Sequence, residues 1–135
     1  VLHKSDQFLY DMHEMQAAML GLPKTEVSPI DQYMEDEEVF SFGKGEVKTI
    51  FTPGHSPGSS SFSIELNNEF LLFSGDTLFN GGIGRTDLPG GDSTEIVKSI
   101  KQRLYTLDGD CRVIPGHGPD TMIGVEKRSN PFVRV

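Results

Sequence analysis

Apolar residues in this chain first recur at helical spacing and then switch to short blocks. Leu9, Met12, Met15 and Met19 fall three or four positions apart, which predicts an amphipathic helix over residues 5–20. Ser5 or Asp6 caps it, Gly21-Leu22-Pro23 ends it, and the residues before it read as the end of a strand. The methionines on that face read as core filler. After a long polar connection over 25–38, four apolar blocks of strand length follow at 39–42, 47–51, 61–66 and 70–74. Asn67-Asn68 joins the last two as a tight hairpin, because asparagine tolerates left-handed backbone geometry. Ile96, Ile100 and Leu104 return to helical spacing and predict a helix from a cap at Asp92, Ser93 or Thr94 to about Leu107. A short strand at 112–114 and a helix from about 121 to 129, stopped before Pro131, complete the pattern. Strands in a block, then helix, strand and helix, predict an α/β half-sandwich, one mixed sheet with helices on its outer face. No repeat, low-complexity tract or linker divides the chain, so residues 1–135 read as a single domain.

Composition narrows this mainly by exclusion. No apolar run is long enough to span a bilayer, and no signal-peptide pattern is present. A net charge of −8 argues against a nucleic-acid or anionic-membrane partner. The single cysteine, Cys111, excludes an internal disulfide and reads as a buried, inert thiol in a strand-like segment. A reducing cytoplasm fits that usage. The acidic run Glu35-Asp36-Glu37-Glu38 lacks the Asp-x-Asp-x-Asp-Gly spacing of a calcium loop. It reads as a solvated loop or a guard on a sheet edge.

The chemistry concentrates in three stretches. These are Thr52-Pro53-Gly54-His55-Ser56-Pro57-Gly58-Ser59, Ser74-Gly75-Asp76-Thr77-Leu78-Phe79 and Ile114-Pro115-Gly116-His117-Gly118-Pro119. Each hangs one metal-capable side chain in a Gly- or Pro-rich loop, and the loops of Asp76 and His117 directly follow apolar strand-like runs. Taken singly, His55 is an ordinary loop histidine, Asp76 a turn or cap aspartate and His117 flexible surface. Together, two imidazoles and a carboxylate at strand ends suit a divalent transition metal, most simply zinc. A catalytic zinc site needs at least three protein ligands and an open position, a number this inventory only just reaches.

In order and separation these motifs resemble the second half of a metallo-β-lactamase-fold hydrolase of the glyoxalase II-like (hydroxyacylglutathione hydrolase-like) kind. The run from Gly75 to Asp87, Gly-Asp-Thr-Leu-Phe-Asn-Gly-Gly-Ile-Gly-Arg-Thr-Asp, is close to a signature by itself. The resemblance implies a partial αββα sandwich and a site for two zinc ions, with iron or manganese as alternatives. His55 would be the terminal histidine of the first metal, Asp76 the carboxylate bridging both, and His117 the terminal histidine of the second. Arg85 would bind the carboxylate of a glutathione-type substrate; its rival reading is an ion pair with Asp87 or Asp92. Thr77 is expected to orient Asp76, while Asp87 and Asp92 shape their loop.

Relatives carry an upstream His-x-His-x-Asp-His motif, for which His3 and His13 cannot stand in. The expectation is an N-terminally truncated domain that carries metal ligands and a substrate clamp. The aspartate that orients the attacking water, the family's catalytic acid-base residue, lies in the missing motif. The resemblance implies a hydrolase of thioesters or related activated acyl compounds, inactive in this chain alone. A single-iron persulfide dioxygenase of the same superfamily and a non-catalytic half-fold are the alternatives. Self-association through an exposed sheet face is expected as well.

Overall fold

The computed structural model describes residues 2–3, 33–42 and 45–134. The helix read at 5–20 and most of the connection read at 25–38 lie outside the described residues. The described end of that connection is not all loop. Strand β2 (Tyr33–Met34) pairs in parallel with β1 (Leu2–His3), in line with the strand end read at the head of the chain.

The main sheet is mixed and six-stranded. It comprises β3 (Val39–Phe42), β4 (Gly45–Phe51), β5 (Ser60–Leu66), β6 (Glu69–Gly75), β9 (Arg112–Pro115) and β10 (Thr121–Met122), in the order β10-β9-β6-β5-β4-β3. Neighbours are antiparallel except β6 and β9. All four predicted apolar blocks are strands, each within a residue or two of its expected bounds. Asn67 and Asn68 turn the β5–β6 hairpin with φ of 52° and 62°, the left-handed pair that a two-residue turn needs to match strand twist. A small hairpin, β7 (Leu78–Phe79) with β8 (Gly82–Ile83), leaves the end of β6 and was not legible as strand.

Period-two alternation gives the sheet two unlike faces. Ile50, Leu72 and Val113 point to one face and form the core with Leu78, Ile96, Ile100, Leu104, Tyr105 and Ile123. On the other face the register aligns Phe40, Val47, Ile64 and Leu71 in one row and Phe62, Phe73 and Ile114 in another. These rows are only partly covered, and Phe73 is exposed.

Helix α1 (Ser93–Ser99) starts at Asp92, whose Oδ1 accepts from the Thr94 and Glu95 amides. That assigns the cap among the three candidates. The helix then widens into a π turn over Ile100–Leu104 and stops there instead of reaching Leu107. The wider turn, closed by the Tyr105 amide on the Ile100 carbonyl, brings Tyr105 round to the core beside Leu104. Its hydroxyl there donates to the Val133 and Glu126 carbonyls. The last helix, α2 (Ile123–Ser129), begins two residues later than expected because Thr121 and Met122 pair with Val113 and Arg112.

Cys111 is buried, and burial pushes its thiol up from the usual value. The acidic run borders the edge strand β3, and its members hold partners that a solvated loop would not. Asp36 receives both outer nitrogens of Arg103, at 2.9 and 3.0 Å, and the Phe51 amide at 2.7 Å. Glu37 pairs with Lys48 and with Arg103. The Arg103 guanidinium holds the Asp36 carboxyl below its ordinary 3.8. A depressed carboxylate adds stability above its unfolded value, which is lost as pH falls through the folded value. Asp36→Asn should therefore lower the urea midpoint at neutral pH and lose less stability than the unaltered chain as pH falls through and below the ordinary carboxylate value of 3.8. Parallel midpoint-against-pH curves for the two proteins would contradict the assignment.

Candidate metal centre

Strand direction decides where the candidate ligands meet. β4 and β6 are both antiparallel to β5, and β9 is parallel to β6, so β4, β6 and β9 all run the same way. Their C-terminal ends share one edge of the molecule and open into the loops of His55, Asp76 and His117. The sequence reading of these three as one cluster therefore has a topological cause.

Each loop is fixed to its neighbours. The Gly54 carbonyl accepts the Asp92 amide at 2.7 Å, and the Ser99 hydroxyl donates to the Pro53 carbonyl at 2.7 Å, which bolts the His55 loop to α1. Gly54 has φ +144°, and a Cβ there would overlap Ile96, so only glycine fits. In the Asp76 loop the Ser74 hydroxyl donates to the Leu78 carbonyl, and the Thr77 amide to the Ser74 carbonyl. The Gly116 amide donates to the Gly75 carbonyl at 2.8 Å and joins the His117 loop to that of Asp76. Gly84 lies directly against the Asp76 backbone, where a Cβ would collide with the Asp76 carbonyl oxygen.

Asp76 divides its carboxylate between the imidazoles. Oδ1 is 2.9 Å from His117 Nδ1, and Oδ2 is 3.5 Å from His55 Nε2. His55 Nδ1 lies 2.8 Å from the Arg85 carbonyl. A carbonyl only accepts, so Nδ1 carries a hydrogen, and Nε2 is the ring nitrogen turned toward Asp76. That is how metal-binding histidines are commonly oriented. The His117 ring is 79% exposed and rests edge-on against Phe79, with centroids 6.2 Å apart. Together with Gly84 and Arg85 these residues line a groove of about 440 Å³.

Arg85 takes the ion-pair geometry with Asp87. Its Nε and Nη2 reach Oδ1 and Oδ2, both at 2.8 Å, and the guanidinium holds the Asp87 carboxyl down at about 2. Asp92 is occupied as the helix cap. The expectation for Thr77 is corrected. Its hydroxyl meets Thr52 Oγ1 at 3.3 Å, not Asp76, within a buried hydroxyl trio completed by Ser61. Thr77 supports the site through its backbone instead, since its carbonyl accepts the Gly84 amide.

The donor chemistry fits a divalent transition metal, but the set is short. Among the described residues no three His, Cys, Asp or Glu side chains close on one point. Each oxygen of Asp76 faces a single imidazole. Sequence reasoning missed the Arg85 carbonyl, because a backbone acceptor leaves no residue signature. It also missed Phe79 as the support of His117, although Phe79 lies inside the motif itself.

The sequence profile of the metallo-beta-lactamase superfamily matches residues 2–117. The chain belongs to that superfamily. It is 40% identical over 132 residues to the hydroxyacylglutathione hydrolase GloC of Haemophilus influenzae, an alignment covering 97% of this chain and 61% of GloC. Among solved structures, TTHA1623 in a di-iron-bound form superposes with a TM-score of 0.84 at 39% identity, over 98% of this chain and 63% of that one. ETHE1 from Myxococcus xanthus superposes with a TM-score of 0.67 at 31% identity, over 73% and 44%. The chain thus spans about three fifths of the length of GloC. The α/β mixed sheet with helices agrees with the fold of these relatives.

A donor set this short should bind metal weakly. Crystals soaked in zinc should give, at the zinc absorption edge, a single low-occupancy anomalous peak beside Asp76. A pair of fully occupied zincs held by this chain alone would contradict the ligand count.

Proposed function

We propose that the chain supplies the second half of a metal-dependent hydrolase site that acts on thioesters or related activated acyl compounds. The observation behind this is the convergence of His55, Asp76 and His117 from three co-directional strand ends, with Arg85 on the rim of the same groove. The 40% identity to a hydroxyacylglutathione hydrolase supports the substrate class. His55 and His117 would each hold one of two zinc ions, and Asp76, one oxygen toward each imidazole, would lie between them. Such ions supply a water made nucleophilic near neutral pH and a Lewis acid for the acyl carbonyl.

The chain's own residues do the rest. The Arg85 carbonyl keeps His55 in the tautomer that offers Nε2. Phe79 and the Gly116–Gly75 hydrogen bond hold the His117 loop over the carboxylate. The exposed Arg85 guanidinium, already forked onto Asp87, can turn the same fork to a substrate carboxylate. The single buried thiol is consistent with a cytoplasmic setting. The half-covered rows of Phe62, Phe73, Ile64 and Leu71 suit pairing with a second copy of the chain.

An alternative reading is a persulfide dioxygenase with one iron, supported by the likeness to ETHE1, and a di-iron form is on record for TTHA1623. Metal analysis of protein bearing a complete site separates iron from zinc.

Removal of cooperating groups is grossly non-additive, so the isolated chain should not turn over S-lactoylglutathione or simple thioesters with zinc, manganese or iron added. Brisk turnover by residues 1–135, unaffected by chelator, would refute the assignment. Where the site is complete, Asp76→Ala should remove most of kcat. Arg85→Ala should chiefly raise KM, because a remote clamp binds ground state and transition state alike. Steady-state kinetics would discriminate the two patterns, and a loss confined to kcat in Arg85→Ala would argue against a clamp.

A further inference from the structure

Behind the metal groove lies a buried carboxylate that the proposed chemistry does not use. Glu126, on α2, is 1% exposed. Its Oε2 accepts the Thr121 hydroxyl at 2.6 Å, and its Oε1 accepts the Gly81 amide at 2.9 Å and the Asn130 side-chain amide at 3.0 Å. Every partner is a donor, the set that a carboxylate accepts from. Among the described residues no lysine or arginine pairs with it. Asn130, fully buried, sends the same side-chain nitrogen to the Gly82 carbonyl at 3.1 Å. Its oxygen accepts the Phe132 and Val133 amides. Two side chains of one helix end thus grip both polar groups of the Gly81–Gly82 turn.

Burying a carboxyl group without a cation beside it is costly, and an apolar residue of similar size would serve stability alone as well or better. What the apolar residue could not do is fix this turn. Gly81 (φ +71°) lies at the tip of the β7–β8 hairpin. The strand leaving the turn delivers Gly84 against the Asp76 backbone and the Arg85 carbonyl to His55 Nδ1. Without an anchor, a glycine pair at the tip would leave that delivery loose.

We propose that Glu126, together with Asn130, is a positioning residue for the metal site. It clamps the Gly81–Gly82 turn so that the end of β8 seats the loops of Asp76 and His55. The inference rests on the reading of His55, Asp76 and His117 as metal ligands. Its effect on the metal passes through the hairpin, since Glu126 touches none of the three.

The test compares the unaltered chain with Glu126→Leu and Thr121→Val. The readouts are zinc affinity by chelator competition, Gly81 amide hydrogen exchange and Tm. Leucine keeps the approximate volume and removes the acceptor of the Gly81 and Asn130 amides, whereas Thr121→Val removes one hydrogen bond on the side away from the hairpin. Both variants should lower Tm, since each strands a buried polar group. Glu126→Leu alone should weaken zinc binding by about tenfold or more, in the range seen for groups that orient ligands, and should speed Gly81 exchange. Thr121→Val should leave affinity within about twofold. If Glu126→Leu does not fold, Glu126→Asp, which keeps the carboxyl group and withdraws its oxygens by one methylene, should move affinity and exchange in the same direction. Unchanged affinity in the folded glutamate variants, or a Gly81 amide that exchanges freely in the unaltered chain, overturns the inference alone. No zinc binding by the unaltered chain would remove the ligand reading and the inference with it.

Discussion

The site depends on close approach of backbones at Gly54 and Gly84. At Gly54 the loop carrying His55 is pressed against Ile96 of the first helix, and at Gly84 the chain beyond the small hairpin is pressed against the Asp76 carbonyl. Neither approach leaves room for a side chain. Relieving either contact by a methyl group means moving packed backbone, a strain of the kind that costs about 1–3 kcal/mol in well-packed interiors. The result brings the His55 imidazole to 2.8 Å from the Arg85 carbonyl and 3.5 Å from the Asp76 carboxylate.

Direction supplies what proximity cannot. Because β4, β6 and β9 point the same way, all three loops emerge on one edge, as ligand sites do at the carboxyl ends of strands in open α/β sheets. The opposite sign at any one of these strands would place its ligand some twenty ångströms away, roughly the length of a six-residue strand. The helices contribute by holding the loops from outside. α1 anchors the His55 loop through Asp92 and Ser99, and α2 grips the hairpin through Glu126 and Asn130.

Much of this was legible in the sequence, for reasons that differ by element. The apolar blocks at 39–42, 47–51, 61–66 and 70–74 alternate strongly enough to fix strands, and Asn67-Asn68 could hardly be anything but a hairpin turn. The convergence of His55, Asp76 and His117 was legible through motif order, and of the two readings left open for Arg85 the ion pair with Asp87 is the geometry it takes. The π turn at 100–104 was not legible, because Ile96, Ile100 and Leu104 are spaced alike in an α helix and the bulge follows from where Tyr105 has to reach. The two-residue strand at Thr121 was hidden because a pair of residues carries no periodicity. Of the two readings of the acidic run the sheet-edge position fits, while its partner Arg103, distant in sequence, left no local signal. The roles of Glu126 and of the Arg85 carbonyl depend on tertiary contact alone and leave no local pattern.

Metallo-beta-lactamase superfamily membership and the convergence of two imidazoles on one carboxylate give a coherent account. On the proposed reading, this chain carries metal ligands at His55, Asp76 and His117 and the loops that shape their groove. The central claim is the location of that site, and cobalt(II) as a paramagnetic probe reports it even when binding is weak. Amide spectra recorded during a cobalt(II) titration should broaden first around residues 54–56, 75–77 and 116–118, with little change elsewhere. Broadening centred instead on the acidic run at 35–38 or on Asp108 and Asp110, or none at any of the three loops, would contradict the account.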